Sequence, residues 1–175
     1  MRYGGKRLAF IGVIAESKNQ MQIKRILDNN LNSIHKEHTV IVINDKNIEN
    51  IKNIRFETLL ITSLEAISNK NNINVFIKNC KYLVISADID ISNKIELNNN
   101  TKLKIITFGF NQKSTITASS VEDELMICIQ RKIYNIYGKI IEPQEIKEKN
   151  ISENMPQNAH NSMGIAGILL IYKTI

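Results

Sequence analysis

The stretch Leu8–Leu31, LAFIGVIAESKNQMQIKRILDNNL, decides the fold of this chain. Its first part, Leu8–Ile14, is a mostly apolar run typical of a parallel strand buried on both faces. Apolar residues then recur at helical spacing, at Ile23, Ile26, Leu27, Leu31 and Ile34. A strand that runs directly into a helix opens an α/β domain, and the turn between them is where such folds hold phosphate. The turn, residues 12–20, has the position of a phosphate loop but not its glycine-rich composition.

Four further apolar runs predict buried strands, and helical patterns separate several of them. The strands are expected at His38–Asn44, Thr58–Thr62, Tyr82–Asp88 and Lys104–Gly109. Helical pieces are expected at Ile48–Ile54, Leu64–Ile67 and Val75–Asn79, with a surface loop at Asn69–Asn74. Apolar strands that alternate with helices indicate a mainly parallel sheet covered on both faces, because parallel strands need crossover connections.

The pattern changes after Ser114, where Thr, Ser and alternating polar residues become frequent. Gly138 is a plausible hairpin turn, so we expect a small antiparallel extension here, ended by Pro143. The charged segment Gln144–Gln157 is expected to be exposed. Asn161–Tyr172 predicts a final helix, capped by Asn161 or Ser162, that is apolar nearly all round and therefore buried against the sheet or a partner. Residues 1–175 are expected to form one domain.

Composition bounds the function further. The chain has 175 residues, of which 43% are hydrophobic, and a formal net charge of +6. Its Lys and Arg residues are scattered rather than clustered, which argues against nucleic acid as a partner. Cys80 and Cys128 have no metal-ligand spacing and are expected to be buried, inert thiols. There is no signal peptide and no apolar run of about 18 residues, so we expect a cytoplasmic protein without a membrane partner.

Three separated segments together resemble the central, ATP-binding domain of the Mur ligase family, the cell-wall ligases that join amino acids to UDP-sugar precursors. The segment 11–27 stands in the place of the family's GxxGTNGKT loop. KIITFGFN, residues 104–111, with residues 114–120, is similar to the family's "viTyGf" strand and the segment after it. NAHNSMGIA, residues 158–166, is similar to the GxHNxxNAxA helix start. The resemblance covers nearly the whole chain and implies a P-loop-like fold with ATP and magnesium as cofactors.

The loop departs from the family pattern. Aligned at Gly12, the second glycine falls on Ala15, the third on Lys18, the phosphate-binding lysine on Asn19 and the magnesium-linked Thr or Ser on Gln20. Glycine allows close backbone approach to phosphate, which a Cβ resists. The lost lysine contact alone should weaken nucleotide binding by roughly 10- to 100-fold.

The positions that still match are the candidate site residues: Gly12, Ser17, Lys18, His160 and Asn161. Each has a structural alternative. Ser17 could be a helix N-cap rather than a phosphate ligand. His160 could have its hydrogen bonds made within the chain, at the start of a helix, rather than to a ligand. Lys18 could replace the missing lysine by a one-residue slip of the loop, although Glu16 adds negative charge there. The family's second motif asparagine falls on Gly164.

Acidic residues offer a second set of polar candidates. Asp88 and Asp90 follow the fourth predicted strand, at the edge where ligands of open α/β sheets bind. They could hold magnesium or simply form a turn. Glu65 is near the position of the family's metal-binding glutamate, where a solvent-facing carboxylate is an equal explanation.

Three functions follow as hypotheses. The first is a non-catalytic, vestigial Mur-ligase-like domain with a degenerate ATP-binding loop, acting as a binding or assembly protein. The second is a reduced ATP-dependent ligase that uses Lys18, Asp88 and His160 and is completed by another chain. A response-regulator or flavodoxin-like module has the right size, but lacks the acidic pair and the glycine fingerprint that those sites need. Apolar surface left on the final helix would favour a homodimer.

Overall fold

The computed structural model describes residues 8–32, 38–90, 97, 101–121 and 124–173. Its main feature is an eight-stranded sheet with the strand order β10-β7-β6-β5-β4-β3-β1-β2. The strands are Ala9–Ile14 (β1), His38–Val42 (β2), Thr58–Ile61 (β3), Tyr82–Ser86 (β4), Lys104–Phe108 (β5), Ile116–Val121 (β6), Glu124–Ile129 (β7), Ile133–Tyr134 (β8), Ile140–Ile141 (β9) and Gln144–Lys147 (β10). The helices are Gln20–Leu31 (α1), Ile48–Ile51 (α2), Ile73–Ile77 (α3), Glu148–Ile151 (α4) and Ala159–Tyr172 (α5).

The first six strands pair in parallel, while β7 and β10 are antiparallel additions at one side. A separate two-stranded antiparallel sheet joins β8 to β9. Gly138 lies between these two strands with φ +78°, a conformation that favours glycine. The predicted α/β class, the mainly parallel sheet and the small antiparallel extension are therefore confirmed.

Alternation along each parallel strand divides the core into two layers, one on each face of the sheet. In β3, Leu60 packs in one layer whereas Leu59 and Ile61 pack in the other. The first layer also holds the buried residues of α1 and α5, and the second those of α2 and α3. Because both faces are covered, every residue of β3 and β4 is buried, which explains why these strands are continuous apolar runs.

Helix α5 packs across one face of the sheet. Residues 161–172 are all buried, as the sequence predicts for a helix that is apolar on every side. Its cap is Asn158, whose side chain accepts hydrogen bonds from the amides of His160 and Asn161; the predicted cap at Asn161 or Ser162 is wrong. The chain itself covers the apolar surface on which the expected homodimer was based.

Three local predictions are wrong. Leu64–Ile67 is a turn rather than the start of a helix, and Asn69–Asn74 is not a loop, since it holds a 3₁₀ turn, Lys70–Asn72, and the start of α3. The segment after Pro143 is not uniformly exposed, because Ile146 of β10 and Ile151 of α4 are buried. The segments that were predicted wrongly are short, and they contain few buried positions or several asparagines. Their hydrophobic periodicity is therefore weak.

Strand β2 forms one outer edge of the sheet. Lys24 reaches across from α1, where its Nζ donates a hydrogen bond to the backbone carbonyl of Val40 at 2.8 Å. The same Nζ lies 2.7 Å from Asp28 Oδ2, one helical turn further on. The carbonyl of Val40, on the open side of the edge strand, therefore already accepts a hydrogen bond from within the chain.

Candidate functional site

The carboxyl ends of the parallel strands form the edge where a ligand site is expected. Strand order reverses between β1 and β3, because β2 lies on one side of β1 and β3 to β6 lie on the other. Ligands of open α/β sheets bind outside the strand ends at this reversal. The turn after β1, the segment after β3 and the start of α5 therefore carry the groups that matter.

The turn between β1 and α1 is closed by its own backbone. The amide of Asn19 donates to the carbonyl of Glu16 at 2.9 Å, and the amide of Gln20 donates to the same carbonyl at 3.2 Å. Amides that would face a phosphate in a phosphate-binding loop are thus engaged inside the turn. Asn19 occupies the N-cap position of α1. Ser17 lies two residues earlier, exposed in the turn, so it is not the N-cap.

The cation of this turn is also paired. Lys18 Nζ lies 2.9 Å from Glu16 Oε2, and the amide nitrogen of the Asn19 side chain donates to that oxygen at 3.3 Å. The hydrogen bond and the charge of Glu16 raise the pKa of Lys18, with a smaller contribution from Glu65. Lys18 is therefore charged but held beside a carboxylate, on a side chain that is 79% exposed.

Gly12 lies inside β1 rather than in the turn. A Cβ on this residue would lie 2.6 Å from Leu59 Cδ2 and 2.8 Å from Ile43 Cδ1. Close packing of β1 against the core leaves no room for a side chain at this position. The glycine is therefore explained by packing alone, without a bound phosphate.

Gln20 has a role that the sequence did not reveal. Its side chain is buried, and its Nε2 donates to the carbonyl of Ala15 at 2.9 Å. Its Oε1 accepts a hydrogen bond from Asn44 Nδ2 at 3.3 Å, at the end of β2. Gln20 therefore ties the turn to the segment after β2. Only the contact with Asn44, 24 positions away, could have indicated this role.

A serine, a histidine and an aspartate meet beyond the end of β4. His160 Nε2 lies 2.8 Å from Ser86 Oγ and 3.6 Å from Asp88 Oδ2. The Ser86 hydroxyl also accepts a hydrogen bond from the amide of Asp88 at 3.2 Å, so it can donate to Nε2 when the ring proton is on Nδ1. In a Ser-His-Asp relay the carboxylate holds the other ring nitrogen. Here both groups contact Nε2, which is the geometry of a positioned histidine.

Burial sets the charge of this histidine. It lowers the pKa of His160 below the usual 6.5, and the carboxylates of Asp88 and Glu16 oppose the shift. Phe108 packs against the imidazole, with 5.0 Å between ring centroids. His160 is therefore neutral near pH 7 and able to accept one hydrogen bond at Nε2.

The sequence also singled out Asn161, Gly164 and Asp88. Asn161 is buried, 3% exposed, at the first turn of α5. Gly164 brings the helix close to the sheet, since a Cβ there would meet Phe108 at 3.0 Å and Leu60 at 3.1 Å. Asp88 is exposed and lies against the backbone of Gly109, which has φ +151°.

The part of the chain that the structure describes contains no group of three or more His, Cys, Asp or Glu side chains placed to hold a metal ion. Cys80 is buried, and burial raises its pKa to about 12, which keeps the thiol protonated and agrees with the predicted inert role. Cys128 is partly buried rather than fully buried as predicted.

Comparisons with known proteins add no family. No protein-family model matches the chain, and no curated protein does. Among the described residues, no helix is both long and apolar enough to cross a membrane. The resemblance to the Mur ligase central domain rests on the three sequence segments quoted above.

Proposed function

We propose that this chain is a non-catalytic, Mur-ligase-like binding domain, in which the former nucleotide edge has been closed by internal pairing. It acts as an assembly or binding partner, with a second copy or another protein, and the resemblance links it to cell-wall metabolism. The observation that carries the proposal is the position of Glu16. Its carbonyl holds two amides of the β1–α1 turn, and its carboxylate holds Lys18.

A triphosphate would have to displace these contacts. The two backbone hydrogen bonds from Asn19 and Gln20 are each worth about 0.5–1.5 kcal/mol, so freeing both costs roughly a 5- to 150-fold loss in affinity. Lys18 would have to leave Glu16, whose carboxylate would then repel the ligand. Gln20 would also have to release the end of β2. These costs add to the loss of the family's glycines.

A nucleotide titration tests the proposal. Calorimetry with ATP, with and without magnesium, is expected to show no saturable binding tighter than about 100 μM. The matched variant A15G/E16T/S17N/K18G/N19K/Q20T restores the family's GTNGKT residues and is expected to gain measurable binding, with circular dichroism to confirm that it folds. Binding by the unmodified chain below that concentration, together with magnesium-dependent hydrolysis, would refute the proposal.

A second candidate is a reduced ATP-dependent ligase completed by another chain. The short distance between His160 and Asp88 favours it, because it brings two of its three required residues to one edge. In this case nucleotides stabilise the protein in a thermal-shift screen and Lys18→Ala abolishes turnover. A screen without any stabilisation rejects it.

The assembly part of the proposal has its own measurement. Light scattering of the chain at tens of micromolar decides whether the partner is a second copy, in which case the mass is that of a dimer. A monomeric mass would leave another protein as the only partner that the proposal allows.

A further inference from the structure

The opposite edge of the sheet holds a cavity that the proposed function does not use. It has a volume of about 310 Å³ and lies at the amino ends of β1, β3 and β4. Volumes of this size are at the lower end of the range for small-molecule sites. A second cavity, of about 290 Å³, lies beside it and shares Glu57 and Lys81.

Positive charge dominates the rim of the first cavity. Arg55, Lys78, Lys81 and Lys102 line it, against one carboxylate among its described lining residues, that of Glu57. Lys81 Nζ is paired with Glu57 Oε1 at 2.7 Å, so this carboxylate is matched by one cation, and Arg55 and Lys78 add two further positive charges to the lining. The cavity therefore favours a ligand with more than one negative charge.

Part of the lining is apolar. Leu8 and Phe10 contribute carbon surface, and Leu8 is 43% exposed. Cys80 is also a lining residue, and its protonated thiol adds no negative charge. Apolar surface beside cations suits a ligand that has an apolar body and an anionic head.

The frame of the cavity is fixed by backbone hydrogen bonds. The amide of Glu57 donates to Phe10 at 2.9 Å, and the amides of Lys81 and Tyr82 donate to the Glu57 carbonyl at 2.9 and 3.1 Å. These bonds join the starts of three strands, so the backbone on this side of the cavity is held in place. A preformed site binds at a lower entropic cost than one that must be ordered.

We propose that this cavity binds a small organic phosphate, in which a phosphate dianion is joined to an apolar, ring-sized body. Arg55 and Lys78 contact the phosphate, and Leu8 packs against the ring. Arginine and lysine both bind phosphate through charge-assisted hydrogen bonds. This site is separate from the carboxyl edge and does not depend on the proposed function.

Phenyl phosphate is the probe, with inorganic phosphate and benzyl alcohol as the two half-ligands. Titration of the full, ¹⁵N-labelled chain is expected to give a dissociation constant below about 1 mM for phenyl phosphate. Both half-ligands should bind at least about tenfold more weakly. Amide signals of residues 55–57 and 78–81 should shift, and those of residues 15–20 should not. Added salt should weaken binding, because the contacts are ionic.

The variant R55Q/K78Q should weaken phenyl phosphate binding by at least about tenfold. K46Q/K52Q removes the same charge from two exposed lysines outside the cavity and should leave binding unchanged. Leu8→Ala should weaken binding of phenyl phosphate but not of inorganic phosphate. No saturable binding, equal loss in both charge variants, or shifts confined to residues 15–20 would overturn the proposal.

Discussion

The two edges of the sheet differ in how their polar and charged groups are paired. At the carboxyl edge, Glu16 holds Lys18 and two backbone amides, and Ser86 holds His160, so described polar groups are paired within the chain. At the amino edge, Arg55 and Lys78 line a cavity in which Glu57, the one carboxylate among the described lining residues, is paired with Lys81. The difference teaches that the edge where a fold class usually binds ligands need not be the edge that carries the net charge in a particular chain.

Helix α5 connects the two edges. His160 lies at its start, at the carboxyl edge, whereas Tyr172 lies at its end and shares a hydrogen bond of 2.7 Å with Thr58 Oγ1 at the start of β3. Tyr172 also packs edge-on against His38, with 4.8 Å between ring centroids. The amino end of the helix thus holds a partly buried polar cluster, and its carboxyl end a buried aromatic anchor.

The largest effect is expected at that anchor. Tyr172→Ala should lower the free energy of unfolding by about 3–5 kcal/mol, because it empties a fully buried aromatic position. Tyr172→Phe should cost only about 1–2 kcal/mol, since it leaves the Thr58 hydroxyl without its partner but preserves the packing. Urea unfolding measures both. Equal losses would show that the hydrogen bond, rather than the ring, anchors the helix.

A smaller effect is expected at Gly12, in the middle of the strand that reaches both edges. Gly12→Ala should cost about 1–3 kcal/mol, because the new methyl group would overlap Leu59 and Ile43. Gly138→Ala is a useful comparison, since a Cβ there meets nothing within 4 Å and only the positive φ opposes it. A loss at Gly12 no larger than at Gly138 would contradict the packing role.

The carboxyl edge should respond to pH through His160. Burial lowers its pKa in the folded chain, so the unfolded chain takes up a proton first as the pH falls. Its contribution to stability is therefore complete above the usual value of 6.5 and is lost as the pH falls toward the folded pKa. Thermal unfolding between about pH 7.5 and 5.5 should show a loss for the native chain that is smaller in His160→Gln. Parallel pH profiles would remove His160 as the cause.

The smallest effect is expected at the exposed pair of the β1–α1 turn. Lys18→Ala should not change the melting temperature measurably, because an ion pair in solvent contributes little to folding. The role assigned to this pair is to occupy the lysine, not to hold the fold. A clear fall in melting temperature would show that the turn depends on it structurally.

The sequence predicted the central strands well for a physical reason. Strands such as β3 and β4 are buried on both faces, and a run of large apolar residues has few other places in a domain. Strand β10 was missed because it is a charged edge strand whose one buried residue is Ile146. The cap of α5 was misplaced because Asn158, Asn161 and Ser162 can all cap a helix, and only the fold decides among them.

The candidate site was likewise predictable from the sequence only in part. Topology alone places the turn after β1 and the start of α5 at one edge, which the strand pattern anticipates. The pairing of Ser86 with His160 joins residues 74 positions apart, and the contact of Gln20 with Asn44 joins the start of α1 to the segment after β2. Neither pairing follows from local spacing. The amino-edge cavity was also missed, because its cations come from separate segments and look scattered along the chain.

The lysine that crosses from α1 to the edge strand bears on how copies of this chain can associate. Open strand edges are templates for pairing between molecules, and a cation placed on such an edge is a recognised defence. Joining two sheets through β2 would require Lys24 to give up the Val40 carbonyl and leave its ammonium group against the incoming backbone. Pairing of two copies through β2 is therefore disfavoured, and replacing Lys24 should increase aggregation before it changes the fold.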